Sequence, residues 1–265
     1  MLREPAFAGM FYEKDPAALR KQVEALVFKK DEKLDAVAVI VPHAGYVYSG
    51  KVAAEVFSSV KIPPLIILLG PNHTGDGAPV SVMSEGVWRT PLGDVKINEP
   101  IAAEILKKSA CCQKDSRAHL REHSLEVQLP LLQALRKNFT IVPIALGEYN
   151  SANLRETAAA IASVLKGRDA LIVASTDLTH YEDAAQARKK DMAVLEAIEA
   201  LDADRMVREV AEKEISMCGW MPSFVAIKAA KQLGAKKGVV IRYANSGEAS
   251  GDFSSVVGYG GAAII

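Results

Sequence analysis

Three apolar segments of the chain each end in a polar turn that carries a histidine. Residues 36–41 are apolar without a break and rich in β-branched side chains, a pattern typical of a strand buried on both faces. Pro42 ends this segment, because proline cannot donate a hydrogen bond to a β ladder, and His43 follows at once. Two further segments repeat the arrangement: residues 65–69 run towards His73, and residues 170–174 run towards His180.

Amphipathic segments lie between these strands, and polar capping residues mark where the predicted helices begin. Asp15 before Pro16 is such a start signal, because the carboxylate accepts free amides and proline needs no donor there. Polar capping residues also precede three other helical segments, at Asn98, Asp183 and Asp202. Strands alternating with helices predict an α/β fold with a mostly parallel central sheet covered by helices on both faces. We expect one domain over residues 1–265.

Prolines and small polar residues give more detailed expectations for the middle of the chain. Ser124 is predicted to cap a helix that is kinked at Pro130, because proline removes an interior helical hydrogen bond. Residues 139–146 form an apolar segment that Pro143 is expected to interrupt as a strand. Ser151 is predicted to cap the helix that follows this strand.

Composition and charge restrict the class of protein. Of the 265 residues, 49% are apolar and 24% are charged, which is typical of a soluble protein with ample material for a core. Lysine plus arginine and aspartate plus glutamate both number 32, so the basic surplus typical of nucleic-acid binding is missing. No apolar run reaches the roughly 20 residues of a membrane helix, and the amino terminus lacks a signal-peptide core. We expect a cytoplasmic protein without a nucleic-acid or membrane partner.

The histidines after the strands are candidates for a common site. The carboxyl ends of parallel strands meet at one edge of a sheet, so His43, His73 and His180 are expected to lie together there. Imidazole is a common metal ligand and a general acid or base near neutral pH, although a single histidine is also explained as a surface or capping residue. Cys218 stands before a helix opened by Pro222, whose amino terminus would stabilise a thiolate ligand. A buried apolar cysteine is the ordinary alternative.

Other polar residues near these positions are candidates for supporting roles. Asp177, three residues before His180, is suited to orient an imidazole, bind a metal or cap a turn. His123 stands at a predicted helix start, where it either supports the site or belongs to a cap, and His119 is expected to be exposed. The sequence contains no phosphate-binding Walker loop, no Rossmann glycine fingerprint and no Gly-x-Ser-x-Gly elbow.

The amino-terminal segment carries more apolar side chains than a solvated tail would tolerate. Arg3, Pro5, Phe7 and Phe11 are therefore predicted to pack against the body of the protein and to line the approach to the site. Removal of this segment is expected to lower the thermal stability.

Several motifs, taken in order along the chain, resemble those of the Memo family, whose animal members are named for mediating receptor-driven cell motility. They are REPAFAGMFY at the amino terminus, VPHAGYVYSG, LLGPNHTG, EHSLEVQLP, STDLTHY, MCGW, ANSGEASGD and VVGYGGA. The resemblance covers essentially the whole chain, and it implies a fold similar to that of the class III extradiol dioxygenases, which are non-haem iron enzymes. It also implies two groups of site residues: the metal ligands His43, His73 and Cys218, and the catalytic or supporting residues His180, Asp177 and His123.

Cys218 is a departure from the dioxygenases, which hold iron with two histidines and one carboxylate. A thiolate is softer than a carboxylate and favours copper(I), zinc or a thiolate-bound iron, and it is open to oxidation. The expected cofactor is therefore a metal ion, with iron, copper and zinc as the candidates. Ligand bonds of roughly 2.0–2.3 Å require the three ligand atoms to lie within about 4 Å of one another.

Two functions of different classes fit these residues, and a third remains open. The first is a metal-binding, dioxygenase-like protein with redox chemistry on a small molecule, a non-haem metal-dependent oxidoreductase if it is an enzyme. The second is a binding or scaffold protein that holds a small molecule or peptide in the pocket without turnover, with protein partners. The third is a zinc hydrolase in which His180 acts as the base.

Overall fold

The computed structural model describes residues 1–147 and 150–265, and its described strands form one mixed sheet of 12 strands flanked by helices. The strands are β1 (Leu2–Arg3), β2 (Ala38–Val41), β3 (Leu65–Pro71), β4 (Val80–Val82), β5 (Val87–Thr90), β6 (Gly93–Ile97), β7 (Gln113–Lys114), β8 (Thr140–Leu146), β9 (Ala170–Ser175), β10 (His180–Glu182), β11 (Gly238–Asn245) and β12 (Val256–Ile264). The described helices are α1 (Pro16–Leu26), α2 (Tyr46–Ser59), α3 (Glu99–Lys108), α4 (Arg117–Leu120), α5 (Gln128–Leu135), α6 (Ser151–Leu165), α7 (Ala184–Glu199), α8 (Ala203–Glu212), α9 (Trp220–Gln232) and α10 (Gly247–Ser250).

Four parallel strands form the centre of the sheet, in the spatial order β8–β3–β9–β2. Leu65 pairs with both Thr140 and Ala170, so β3, β8 and β9 start level and end at one edge. β12 joins β2 in the antiparallel direction on one side, and the β5–β6 hairpin extends the other side. The predicted α/β fold with a mostly parallel central sheet is confirmed, with antiparallel strands added at its flanks.

Helices cover both faces of this sheet, and the side chains of β3 alternate between the two cores. Ile67 and Leu69 belong to the core that includes residues of α6, α7 and α9, whereas Ile66 and Leu68 belong to the core that includes residues of α2 and α5. Because both faces are covered, the central strands are apolar without alternation. None of the described helices is long and apolar enough to span a membrane.

The predicted caps of α1, α3, α7 and α8 begin their helices, whereas Ser124 and Ser151 do not. Oδ1 of Asp15 accepts hydrogen bonds from two backbone amides in the first turn of α1. The side chain of Asp183 also accepts hydrogen bonds from two such amides at α7, and those of Asn98 and Asp202 accept one each at α3 and α8. At α6 the cap is Asn150, and the expected cap Ser151 is the first helical residue. Asparagine and serine are about equally good caps, so neighbouring candidates are not separated by propensity.

Two prolines lie in regular structure without breaking it, which corrects the predicted kink and interruption. α5 begins at Gln128, so Pro130 stands in its first turn, where the N–H has no helical partner in any case. Ser124 therefore does not cap this helix. Pro143 lies inside a continuous β8, between the part that pairs with β6 and the part that pairs with β4. Its missing N–H falls at this change of neighbour, and its carbonyl accepts the N–H of Met83.

His119 is fully buried, and the expectation that it would be exposed is wrong. Its Nε2 lies 3.1 Å from the carbonyl oxygen of Ser81, and its ring centroid is 5.9 Å from that of Trp88. The short α4 thus places the ring of His119 against residues of β4 and β5. Residues 109–120 carry no clear hydrophobic period, so their sequence gives no signal for this burial.

Candidate metal centre

Three histidines meet at the carboxyl edge of the central sheet. His43 follows β2 and His73 follows β3, as predicted, and the centroids of their rings are 5.2 Å apart. His123 arrives from the segment between α4 and α5, with its ring 5.3 Å from that of His43 and stacked on that of His73 at 4.7 Å. Cys218 reaches the same place from the turn before α9. This edge is where ligands bind in open α/β sheets.

His43, His73 and Cys218 form a group whose ligand atoms all lie within 4.8 Å of one another. The Sγ of Cys218 is 3.3 Å from Nε2 of His43. Two ligand bonds of roughly 2.0–2.3 Å to one shared ion span a separation of this order, so the three side chains are close enough to act as a group of ligands. Two imidazoles and a thiol form a donor set that suits zinc, copper or a thiolate-bound iron.

Ser175 fixes the position of the ring proton of His43. The Oγ of Ser175 donates to the carbonyl oxygen of Ser124 at 2.7 Å. It therefore accepts from Nδ1 of His43 at 2.8 Å and from Nε2 of Gln128 at 3.0 Å. With the proton of the neutral ring held on Nδ1, the lone pair of Nε2 faces Cys218 and is available to a cation.

Glu122 has the same effect on His73. Its Oε1 lies 2.9 Å from Nδ1 of His73, and its Oε2 accepts the backbone N–H of the same residue at 2.6 Å. Although burial acts to raise the pKa of the Glu122 carboxyl, hydrogen bonds to His73 and to the N–H of Ser124 lower it to about 2. The ionised carboxylate holds the ring proton of His73 on Nδ1, which leaves Nε2 for a cation.

Burial favours the uncharged form of His43, His123 and Cys218. Burial, together with the charge of His73, lowers the pKa of His43 to about 3, and burial with the charge of His43 lowers that of His123 to about 4. Neutral imidazole is the form that binds metal. Burial also raises the pKa of the Cys218 thiol, and the nearby Asp177 adds to this effect. The predicted stabilisation of a thiolate by the amino terminus of α9 is thus outweighed, because a helix terminus contributes about 0.3–1 kcal/mol and burial shifts a pKa by up to about 3–5 units.

Asp177 and His180 lie beside this group. Oδ1 of Asp177 accepts the N–H of His43 at 2.8 Å, and the N–H of Asp177 points at Sγ of Cys218 at 3.3 Å. Burial raises the pKa of the Asp177 carboxyl. His180 is close enough to His43 for its charge to contribute to the lowered pKa of that ring, and its Nδ1 is buried without a hydrogen-bond partner among the described residues. An unpaired ring nitrogen at this place is available for proton transfer, and the catalytic roles of these residues stay predictions.

Comparison with known proteins shows the family. The family model described as "Memo-like protein" matches residues 3–263. The chain belongs to the Memo family. A MEMO1 family protein of Aquifex aeolicus is 46% identical over 260 residues, which is 97% of each chain, and one of Methanopyrus kandleri is 42% identical over 281 residues, which is 100% of this chain and 99% of the relative. An uncharacterized protein from Escherichia coli K12 has a similar fold, with a TM-score of 0.55 at 12% identity over 84% of this chain and 98% of that one.

Membership in the Memo family confirms the resemblance drawn from the motifs, and the structure shows that five of the motifs meet at the candidate metal centre. His43 comes from VPHAGYVYSG, His73 from LLGPNHTG, and Glu122 and His123 from EHSLEVQLP. Ser175, Asp177 and His180 come from STDLTHY, and Cys218 comes from MCGW. Segments far apart in the sequence of this Memo family protein therefore supply one group of side chains.

Arg3 of this Memo family chain ties the amino-terminal segment to the segment that carries Glu122 and His123. It is 1% exposed and forms an ion pair of 2.7 Å with the buried Glu126. It also donates to the carbonyl oxygens of His119 and Glu122, at 2.6 and 2.9 Å. One buried guanidinium thus holds three points of the same segment, as the predicted packing of the amino terminus requires.

Phe7 and Phe11 line the site, which confirms the other part of that prediction. Their ring centroids lie 5.3 and 4.6 Å from that of His123, and the two phenylalanine rings pack edge to face. Pro5, which lies between Arg3 and Phe7 in the sequence, is half-buried. His123 is therefore enclosed by two aromatic rings and by the stacked ring of His73.

Three buried polar residues of the site were missed at the sequence level: Glu122, Ser175 and Gln128. Glu122 directly precedes His123, and Ser175 opens the motif that ends in His180, so the signal was adjacency to candidates already recognised. Glu122 also belongs to a second group of possible ligands, with His73 and His123, whose atoms lie within 4.8 Å of one another.

Proposed function

We propose that this Memo family protein binds a metal ion through His43, His73 and Cys218 and uses it for redox chemistry of the non-haem dioxygenase type on a small molecule. The observation that carries the proposal is the fixed orientation of both imidazoles. Ser175 and Glu122 hold the ring protons on Nδ1, so both Nε2 atoms are left for a cation near the thiol. Hydrogen bonds of this kind orient metal-binding histidines in proteins.

The donor set supports a soft or borderline ion. A thiolate ligand beside two imidazoles favours copper(I), zinc or a thiolate-bound iron over an iron held by oxygen ligands. When bound, such an ion supplies Lewis-acid chemistry and, for iron or copper, electron transfer. His43 is 2% exposed, so the protein side of the cluster excludes water.

The neighbouring residues act on the protons and the position of the bound molecule. His180, with its unpaired Nδ1, accepts or donates a proton on that molecule. Asp177 holds the turn that carries His43 through the main-chain N–H, and its charge acts on His180. His123, packed between His73 and Phe11, walls the site and fixes the ring of His73 from one face.

A second candidate function is binding without turnover. In this function the surface around the histidines holds a small molecule or a peptide and presents it to protein partners. The observation that favours it is Cys218, because a cysteine takes the place of the third, carboxylate ligand of the dioxygenases and its sulfur is open to oxidation. The same residues then serve as a recognition site.

Metal analysis of protein purified without oxygen tests the first proposal, with oxygen uptake on addition of catechols as the second measurement. We expect a stoichiometric ion in the wild type and uptake that is lost with Cys218→Ser. Tight ligand binding by metal-free Cys218→Ala protein, with no uptake by the wild type, would favour binding without turnover. Ester hydrolysis by zinc-loaded protein without oxygen uptake would instead indicate a hydrolase.

A further inference from the structure

Tyr181 is the extra residue of a β-bulge directly after His180. In the antiparallel pair of β10 and β12, His180 stands opposite Val257 and Glu182 opposite Val256, so Tyr181 has no partner across the ladder. Its φ is 62°, in the left-handed region that glycine adopts easily and a tyrosine adopts at a cost. Bulges are frequent beside active sites, where they redirect a side chain.

The side chain of Tyr181 is not buried in return for this strain. It is 78% exposed, which is unusual for a large aromatic ring, and its ring lies edge-on to that of His180 with 5.8 Å between the centroids. Strained backbone persists where the surrounding structure holds it, and residues of this kind cluster at functional sites. The bulge therefore holds an aromatic surface in solvent beside the imidazole assigned to proton transfer.

Other aromatic side chains bound the same region. Tyr48, in the first turn of α2, is 47% exposed and packs near Gly45, two residues after His43. Burial raises the pKa of the Tyr259 phenol most, and Asp177, Tyr48 and Tyr181 are near enough for their charges to raise it further. On the side of His123, Phe11 presents a third ring.

We propose that Tyr181 is a specificity-determining residue that packs its ring against a planar aromatic ring of the small molecule held at the metal centre. This inference rests on the proposed function, because it needs a metal-bound ligand to bring that ring beside His180. The aromatic surface, and not the hydroxyl of Tyr181, makes the selection, since aromatic pairs gain from ring contact itself.

The preference for an aromatic ring is measured with two chelating probes, benzohydroxamate and acetohydroxamate, each titrated into zinc-loaded protein. The first carries a phenyl ring where the second carries a methyl group. Both offer the same pair of oxygen donors to the ion, so the ratio of their dissociation constants reports contact with the ring. We expect Tyr181→Gly to weaken benzohydroxamate about three- to tenfold, the scale of one aromatic pair, and to leave acetohydroxamate within about twofold. Tyr181→Phe should keep the wild-type ratio.

Stability of the metal-free protein gives a second, independent readout. Glycine removes the strain of the left-handed backbone, so Tyr181→Gly should unfold at the same or a higher temperature than the wild type. Glu214 is an exposed residue with φ 50°, and Glu214→Gly is the matched control: it relieves similar strain and should leave both probe affinities unchanged. If Tyr181→Gly raises the unfolding temperature and also removes the preference for benzohydroxamate, Tyr181 contributes to ligand binding and not to stability.

The outcomes distinguish a failure of the proposed role of Tyr181 from a failure of the proposed metal binding. If the wild type binds neither probe with zinc present, the metal centre itself is rejected. If acetohydroxamate binds and Tyr181→Gly leaves the affinity ratio unchanged, the metal centre stands and the role of Tyr181 is overturned. Equal weakening of both probes by Tyr181→Gly would also overturn it, because it would show loss of the site and not of ring contact.

Discussion

Nδ1 of His73 lies 2.9 Å from Oε1 of Glu122, and this contact decides which nitrogen of the ring faces the cluster. The carboxylate accepts the ring N–H and the backbone N–H of the same residue, so it sets both the tautomer and the angle of the imidazole. Without such a partner the imidazole ring could rotate and could carry its proton on Nε2, and both effects would lower its affinity for a metal ion. Glu122 is therefore as much a part of the centre as the ligand that it orients.

Substitution of Glu122 by glutamine should weaken metal binding about 10- to 100-fold, the range for a residue that orients a ligand. Both oxygens of Glu122 accept N–H groups. In either orientation of its side-chain amide, a glutamine would therefore place its NH2 group against one of these N–H donors. Zinc affinity measured by competition with a chromophoric chelator checks this. Glu85→Gln, which alters an exposed carboxylate paired with Lys114, is the control and should change nothing. Equal affinities in the two variants would contradict the orienting role.

Cys218→Ser and His180→Ala should separate metal binding from proton transfer. The serine hydroxyl is a poor ligand, so Cys218→Ser should lose copper(I) far more than a hard ion. His180→Ala should keep its metal and lose any turnover by about 10²- to 10⁴-fold, because His180 lies outside the three-ligand group. Metal stoichiometry by mass spectrometry is the measurement. Loss of metal from His180→Ala with retention in Cys218→Ser would mean that the two roles are assigned the wrong way round.

Arg3→Ala should lower the free energy of unfolding by about 3–5 kcal/mol, because it leaves Glu126 as a buried charge without its cation. Arg89→Ala is the matched control: Arg89 pairs with Asp94 on the surface, so its loss should lower the free energy of unfolding far less than the loss of Arg3. Urea denaturation of the metal-free proteins measures both. Deletion of residues 1–12 should lower the melting temperature as well. Similar small losses in the two arginine variants would show that the buried pair does not anchor the segment.

The positions of His43 and His73 follow from the sequence because they depend on a local rule. An apolar run predicts a buried parallel strand, and the residue just beyond it must lie at the edge where such strands end. Cys218 had weaker support from the residues alone, because a cysteine before a helix has several explanations. Its place in the centre was indicated by the resemblance to the Memo family and agrees with the structure.

Other features depend on tertiary neighbours that no local pattern encodes. Ser175 orients His43 because β9 lies beside β2, and Pro143 is harmless because β8 changes partners at that point. His119 is buried by Trp88 and Arg3, which come from elements far away in the sequence. The pKa of Cys218 is raised because burial exceeds the effect of the helix terminus, and burial is known only once the chain is folded.

His119 offers a test of how burial couples protonation to stability. Its Nε2 donates to the carbonyl oxygen of Ser81, and its Nδ1 has no hydrogen-bond partner within the described part of the chain. A second proton on Nδ1 would therefore place an unpaired charge in the core. Burial lowers the pKa of His119 from 6.5 to about 4. The charge of Arg3 adds to this, whereas the bond to Ser81 and the charges of Asp115 and Glu122 oppose it.

The stabilising effect of a neutral His119 should be fully present above the unfolded pKa of 6.5 and be lost as the pH falls towards about 4, because the unfolded chain then binds a proton that the folded chain refuses. Between pH 7 and pH 5 this loss amounts to about 2 kcal/mol. His119→Gln keeps an N–H donor for Ser81 and removes the titration, so its stability should fall by about 2 kcal/mol less over that interval, whatever its stability at pH 7. Urea denaturation of metal-free protein at both pH values, with a chelator present, gives the comparison. Equal losses in the wild type and the variant would show that His119 is protonated in the folded protein without penalty, and the account of its burial would be wrong.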